Sequence, residues 1–348
     1  MKTNKWIQHN FPRGWIVTIF LILLSWSIFI LCDGQNPLTA FFYMVSGVFG
    51  GSDGFFSMLN KLFIYVLAAL AYCIPAWTGM WNIGGEGQLI LGGFISALIP
   101  LYFHTEFLFV NILVTLLFAA IIGGLWALWP ALLRVHFGVN EVVTTLMSNY
   151  IVGYFTDYMI NVPYRMKGSS FPRMEYVPEN FQIPNFVNNS LSLTFIIALA
   201  FIVAAEIFRK YLIRGYDYRI TGNNQFFARQ GGINVNAVQV RSMFIGGMLA
   251  GLAGGLLVLS INYTFMLNFS NDYGFTGLLI ALISGNMPLL VFGISTVFVS
   301  LQVGAINMHL FTSIPAEITG VLQSIMVFFI AARKSLDFGI RIGGKKDV

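Results

Sequence analysis

Apolar runs of near bilayer-crossing length recur from one end of this 348-residue chain to the other, with almost no charge inside them. They cover residues 15–32, 62–80, 88–103, 107–133, 142–160, 191–208, 243–261, 275–284, 288–303 and 316–332. Backbone in hydrocarbon must satisfy its hydrogen bonds within its own segment, which leaves the helix as the form such runs can take. At about twenty residues per crossing, the pattern predicts an all-α polytopic transmembrane bundle of about ten spans. Two of them, the third and the eighth, read as short or interrupted by glycine. A water-soluble alternative is excluded by composition, with 57% hydrophobic and only 9% charged residues against about 25% charged in soluble domains. The mean hydropathy is +0.76. Residues 1–348 are therefore expected to form a single transmembrane domain, with no separate globular enzyme.

Lysine and arginine set the expected orientation, because cytoplasmic loops retain them during insertion. With both ends inside, fifteen of the nineteen fall on the inner side, and only Lys61, Arg165, Lys167 and Arg173 fall outside. The net charge of +5 then anchors loops at anionic lipid and needs no nucleic acid. This reading makes 1–14 a cytoplasmic N-terminus, 33–60 an external interfacial segment, 161–190 an external loop, 209–241 a cytoplasmic loop and 333–348 a cytoplasmic tail. The basic start runs into apolar sequence without a small-residue cleavage site, so an uncleaved first span is expected. Spans 2–5 and 7–10, five apart, would form an inverted repeat; the count and the two interruptions are all that supports it. The two cysteines (Cys32, Cys73) and four histidines have no ligand-like spacing, and no metal site is expected.

Four local patterns carry chemistry. Asn82-Ile83-Gly84-Gly85-Glu86-Gly87-Gln88 sets a carboxylate, two amides and exposed backbone between apolar runs. Such groups are tolerated only where protein or a water-filled cavity surrounds them. Asn82, Glu86 and Gln88 are thus candidates to line a polar route, or else to satisfy one another structurally. In the run 138–150, Asn140 is placed to cap a helix and Glu141 to favour its positive end. Thr145, Asn149 and Asp157 follow at spacings of four and eight, near one helical face. That face either lines a route or joins helices by hydrogen bonds. In the seventh run, Gly246, Ala250 and Gly254 form one small-residue ridge and Gly247, Gly251 and Gly255 the next, the pattern of close helix packing. In 221–234, Asn223 or Asn224 can cap a short helix ended by Gly231-Gly232, with Phe226 and Phe227 presented outside the bilayer. Such a helix suits a partner's groove or the lipid headgroups.

Two absences narrow the reading. No G-x-x-x-x-G-K-[ST] occurs, so the chain has no P-loop for ATP. No lysine or arginine lies mid-span, which argues against an anionic solute and favours a neutral, hydroxyl-bearing one.

These residues resemble the permease subunits of ABC importers for nucleosides and simple sugars. Residues 81–88 are similar to their "FNIGxEGQ" signature, and 138–150 to "GVNEVITTLMLNY". Asn223, Asn224, Ala228 and Gly232-Ile233-Asn234 follow "GxNxxAAxxxGIN", with Gln225, Phe226 and Phe227 where proline, a polar residue and alanine are usual. Tyr273-Gly274-Phe275-Thr276-Gly277 and Ile314-Pro315-Ala316-Glu317 also match. The resemblance implies a transport subunit that is no enzyme and holds no cofactor of its own, ATP being bound by a cytoplasmic P-loop ATPase partner. It implies a second permease subunit, copy or paralogue, and an extracellular solute-binding protein, in a bacterial-type plasma membrane. It makes the segment around Asn223, Asn224, Phe226, Phe227, Ala228 and Gly232 the coupling helix. A nucleoside is favoured over ribose or galactose. The rivals are a proton- or cation-coupled carrier using Glu86 and Asp157, and a scaffold that transports nothing.

Overall fold

The computed structural model describes residues 7–103, 105–186, 191–312, 314–315 and 318–343. Its helices are α1 (Ile7–Cys32), α2 (Pro37–Phe49), α3 (Ser52–Ala76), α4 (Gly85–Tyr102), α5 (Leu108–Phe137), α6 (Glu141–Asn161) and α7 (Thr194–Tyr211). They continue as α8 (Ile213–Asn223), α9 (Gln225–Gln230), α10 (Val235–Leu257), α11 (Tyr273–Ile283), α12 (Pro288–Phe311) and α13 (Ile318–Gly343). A two-stranded hairpin, Asn185–Phe186 with Leu191–Ser192, is the described sheet. Parts of the expected N-terminus (1–6) and tail (344–348), and Ala316 and Glu317 of the last motif, lie outside the described residues.

The all-α class stands, but the count of about ten spans is corrected. Among the described residues four helices are long and apolar enough to cross a membrane: Ser52–Ala76, Leu108–Phe137, Val235–Asn262 and Pro288–Phe311. The number rises to five if Val17–Cys32 and Pro37–Phe49, bent by 114° at their junction, make one broken span. Several apolar runs do form helices yet fall short for physical reasons. The first turn of α4 is Gly85-Glu86-Gly87-Gln88, and α6 carries Glu141, Thr144, Thr145, Ser148, Asn149 and Asp157. Glu206, Arg209 and Lys210 crowd the end of α7, and α11 has 11 residues. The inverted repeat of spans 2–5 and 7–10 rested on the larger count and falls with it.

Two compact units divide the chain. In the one built from residues up to Met58 and from Val297 onward, Asn36 caps α2 by accepting from Leu38 N at 2.9 Å, with Pro37 at the first helical position. Pro there loses no intrahelical bond and starts the helix with its φ already set. Gly47 lies so close to Asn307 that a Cβ would overlap it. The Tyr43 ring stacks on Phe311 at 5.1 Å, and Trp26 Nε1 donates to Leu322 O at 3.0 Å.

The other unit, Leu59–Thr296, is built around α10, which packs chiefly on α5 and α4. The contact is backbone on backbone. A Cβ at Gly247 would strike the Gly123 carbonyl, one at Gly251 the Ala119 carbonyl, and one at Gly255 would sit 2.7 Å from Ser96 Oγ. On its other side, Gly246 meets the Ala71 carbonyl of α3 and Gly254 the Leu89 carbonyl of α4. Lipid offers no hydrophobic drive between helices, so close van der Waals approach through small residues must supply the attraction.

Two of this unit's non-helical stretches bear on the site. One joins α3 to α4 through Trp77–Ile83. The other follows a π turn (Val258–Asn262) at the end of α10, where Tyr263, Asn268, Asn271 and Asp272 take positive φ. Asn and Asp tolerate that region better than most residues. The proline-rich segment after α6 is mostly extended and runs along the second stretch, with Met174 N donating to Phe265 O (2.9 Å) and Val177 N to Tyr263 O (2.8 Å). Phe265 is buried there, its ring packed against Phe94 in the middle of α4 and against Phe269.

A polar cluster at two helix breaks and a short helix beside it

The turn from α5 to α6 sets the cluster's position. Gly138, at φ 69°, ends α5 as its N–H bonds Arg134 O at 3.0 Å, and Val139 N returns to Leu133 O. Only a residue without Cβ enters this left-handed cap cheaply. Asn140 then caps α6 by accepting from Val142 N at 2.9 Å, and Glu141 pairs with Arg134 at 3.2 Å. One turn on, Thr145 and Asn149 share a buried face.

That face holds the 82–88 break. Thr145 Oγ1 accepts from Ile83 N at 3.2 Å and donates to Glu141 O at 2.6 Å. Asn149 is a double clamp, its Nδ2 donating to Ile83 O and its Oδ1 accepting from Gly87 N, both at 2.9 Å. Asn82 and Gln88 exchange amide hydrogen bonds at 2.9 and 3.0 Å. Gln88 and Thr145 are fully buried, and Asn82 nearly so. Each amide here has a protein partner, which is what buried polar groups require.

Glu86 faces the other way. Its carboxylate accepts from Phe275 N at 3.2 Å, and from the Ser270 side chain and Gly274 N. Those N–H groups belong to the first turn of α11, whose own N-cap residue Asp272 makes no side-chain capping bond. Glu86 thus supplies the cap from a different helix, placing negative charge at the positive end of α11. Gly274 lets it in: a Cβ there would stand 2.6 Å from Glu86 Cα and strike the carboxylate. The two interrupted stretches are therefore tied together by one carboxylate.

All five residues named from sequence for a polar route, Asn82, Glu86, Gln88, Thr145 and Asn149, gather here. Asp157, half-buried and eight residues past Asn149, takes no part in the cluster. Sequence reading missed Ser270, Gly274 and Phe275 as the receivers of Glu86. The signal available was a glycine flanked by aromatics at the start of a short apolar run. Beside the cluster, Tyr72, Met80, Asn82 and Leu278 line a cavity of about 20 Å³, room for about one water.

The segment entering the break is held from α8 and α10. Gly222 presses on the Trp77 carbonyl, leaving no space for a Cβ, and lies against Gly79. Thr78 Oγ1 and Ser242 Oγ share a hydrogen bond of 2.9 Å. Immediately after Gly222, Asn224 caps α9 by accepting from Phe227 N at 3.0 Å. Gly231 and Gly232 (φ 80°) end it, with Ile233 N returning to Ala228 O at 3.0 Å. Ala228 is buried, whereas Phe226 and Phe227 are 72% and 58% exposed. Asn223, one residue earlier, closes α8 rather than capping α9.

The sequence model for "Branched-chain amino acid transport system / permease component" matches residues 54–331, most of the chain. The chain belongs to this permease family. The permease is 28% identical to the guanosine ABC transporter permease protein NupP of Bacillus subtilis, covering 93% of this chain and 94% of that protein. It is 28% identical to the nucleoside ABC transporter permease protein NupB of Lactococcus lactis, covering 91% and 90%. Against the glucose ABC transporter permease protein TsgB13 of Haloferax volcanii the identity is 25%, covering 93% and 87%. No solved structure matches it. This permease is a multi-pass membrane transport component rather than an enzyme, and its family implies the ATPase and solute-binding protein typical of ABC importers.

Proposed function

We propose that this permease is the membrane subunit of an ATP-driven importer that carries a nucleoside into the cell. The observation that carries this reading is the end-to-end similarity, over nine-tenths of each chain, to two permeases named for guanosine and nucleosides. A simple sugar is the second reading, favoured by the similarity to a glucose permease. The residues agree with a neutral solute: the cluster offers amides and hydroxyls able to exchange hydrogen bonds with sugar hydroxyls and base edges. Among these five residues the carboxylate is Glu86, and it is bonded to the start of α11.

On this reading Asn82, Glu86, Gln88, Thr145 and Asn149 border the route and change partners during the cycle, the closed cluster being one state of it. Residues 209–241 face the cytoplasm, since Arg209, Lys210, Arg214, Arg219, Arg229 and Arg241 concentrate there; with four crossings both termini lie on that side. Phe226 and Phe227 seat α9 in a cytoplasmic P-loop ATPase. Closure of the ATPase moves α9, and Gly222 passes the displacement to Trp77–Gly79 and so to the break. A second permease, an extracellular binding protein and the bilayer complete the assembly. The differential affinity of the ATPase for two permease conformations is what drives alternation.

The test is uptake of labelled guanosine by the permease reconstituted with its companion subunits. ATP-dependent uptake, competed by nucleosides and not by glucose or ribose, is expected. Uptake by the permease alone, driven by a proton gradient, would identify a carrier and overturn the proposal.

A further inference from the structure

Where α7 leaves its apolar run, α8 folds back across it and meets the start of α10. The crossing is tight, for a Cβ at Gly215 would strike the Phe208 carbonyl. Between the three helices lies a recess of about 180 Å³. Arg214, Asp217 and Arg241 stand at it, and Phe208, Tyr218 and Phe244 form its apolar wall. The wall is packed ring on ring: Tyr218 meets Phe208 edge to face at 5.2 Å, and Trp77 stacks on Phe208 at 6.3 Å.

The charges are open. Among the described residues the ion pairs are Arg134 with Glu141 and Lys210 with Glu206, so neither Arg214 nor Arg241 contacts a carboxylate as an ion pair. Two guanidiniums against Asp217 leave one unit of positive charge. Burial pushes the Tyr218 hydroxyl above the usual tyrosine range, against the pull of Arg241 and Arg214, and it remains a neutral donor at physiological pH. Guanidinium forks and a hydroxyl donor suit a phosphate. An aromatic wall suits the glycerol and first methylenes beneath it. The recess lies at the start of α10, a helix long and apolar enough to cross a membrane, and such span ends are where aromatic and basic residues concentrate.

We propose that the recess between α7, α8 and α10 binds the phosphodiester headgroup of an anionic phospholipid, held by Arg214, Arg241 and Tyr218. The single negative charge of a phosphatidylglycerol phosphate matches the recess, whereas a zwitterionic choline lipid brings a cation beside two arginines. A lipid seated there braces α8, and through Gly222 the segment that enters the 82–88 break. The proposal rests on this chain lying in a membrane and not on the identity of its solute.

The full-length permease, purified and placed in nanodiscs of mixed phosphatidylglycerol and phosphatidylcholine, is assayed for retained lipid by native mass spectrometry. Preferential retention of phosphatidylglycerol is expected. Arg214→Gln and Arg241→Gln should each reduce that preference about fivefold, and the pair together about 25-fold. Asp217→Asn should raise it, an opposite effect that general misfolding cannot mimic. Equal retention of the two lipids by the wild type, or an unchanged preference in a double variant of unaltered melting temperature, would overturn the proposal. So would displacement of the lipid by inorganic phosphate, which would identify a soluble anion as the occupant. Guanosine uptake does not enter this readout, so failure here leaves the transport proposal standing, and the reverse.

Discussion

At the scale of single residues, Glu86 separates architecture from transport. Its carboxylate caps α11, and replacing it with glutamine keeps the shape and an acceptor oxygen but removes the charge. The structural loss is up to about 2 kcal/mol, read as a modest fall in melting temperature of the detergent-purified permease. Uptake per folded complex should fall further, on the order of tenfold or about 1.4 kcal/mol in the barrier, if the carboxylate must release and regain α11 in each cycle. Unchanged uptake with a lowered melting temperature would leave Glu86 a cap and nothing more. Asn149 gives a pair of variants. In Asn149→Ala both Ile83 O and Gly87 N lose their partner in a buried setting, at about 1–3 kcal/mol each. Asn149→Asp keeps an acceptor for Gly87 N but turns a carboxylate oxygen on Ile83 O, so it should melt below wild type and regain stability as acid protonates it into a donor. The polar spacing of Asn82 to Gln88 was readable in the sequence because such groups cannot be left alone in hydrocarbon. The partner of Glu86 was not, since nothing local in 82–88 points to a helix start nearly 190 residues away.

At the scale of elements, the caps explain which helices the sequence made visible. Asn140, Asn224 and Gly138 act through bonds within three or four residues, so their helices α6 and α9 and the end of α5 follow from local chemistry. The first span expected from residue 15 continues, after a 114° bend, into α2, a turn that Asn36-Pro37 marks but whose angle depends on distant packing. The helix α8 was hidden by its composition, because arginine, tyrosine and glycine gave it no apolar period; Gly215 and Gly222 are explained only by the backbone each one presses. Exposure of Phe226 and Phe227 on α9 carries its own prediction. Phe226→Asp with Phe227→Asp disturbs little internal packing of the permease, because both rings are mostly exposed and Ala228 is the residue of α9 that is buried. Membrane insertion and melting temperature should stay at wild-type values while co-purification of the ATPase falls by tenfold or more, about 1.4 kcal/mol or above. Full-stoichiometry ATPase in that variant would show that α9 is not the docking helix.

At the scale of the whole molecule, helicity and membrane-crossing length separate. Apolar runs located the helices well, yet the count of about ten overshot because several of those runs end in charge, polar faces or early termination, as α4, α6, α7 and α11 do. What such helices lose in hydropathy they gain as partners for one another: α6 clamps the start of α4, and α4 caps α11. The resulting cluster is closed, with its amides paired, and the cavity of about 20 Å³ beside it is far smaller than a ligand pocket of about 300 Å³ or more. A transporter must open that space in another state of its cycle, and the opening should be measurable. With Cys32 and Cys73 replaced by serine and alanine, an Asn82→Cys variant carries one thiol inside the cluster. In the assembled complex, a small membrane-impermeant maleimide should label it slowly without nucleotide and many times faster once ATP is trapped in the ATPase, or the reverse. State-dependence is the decisive feature, because a merely loosened cluster would react at one rate throughout, and a cluster sealed in both states would exclude Asn82 from the route.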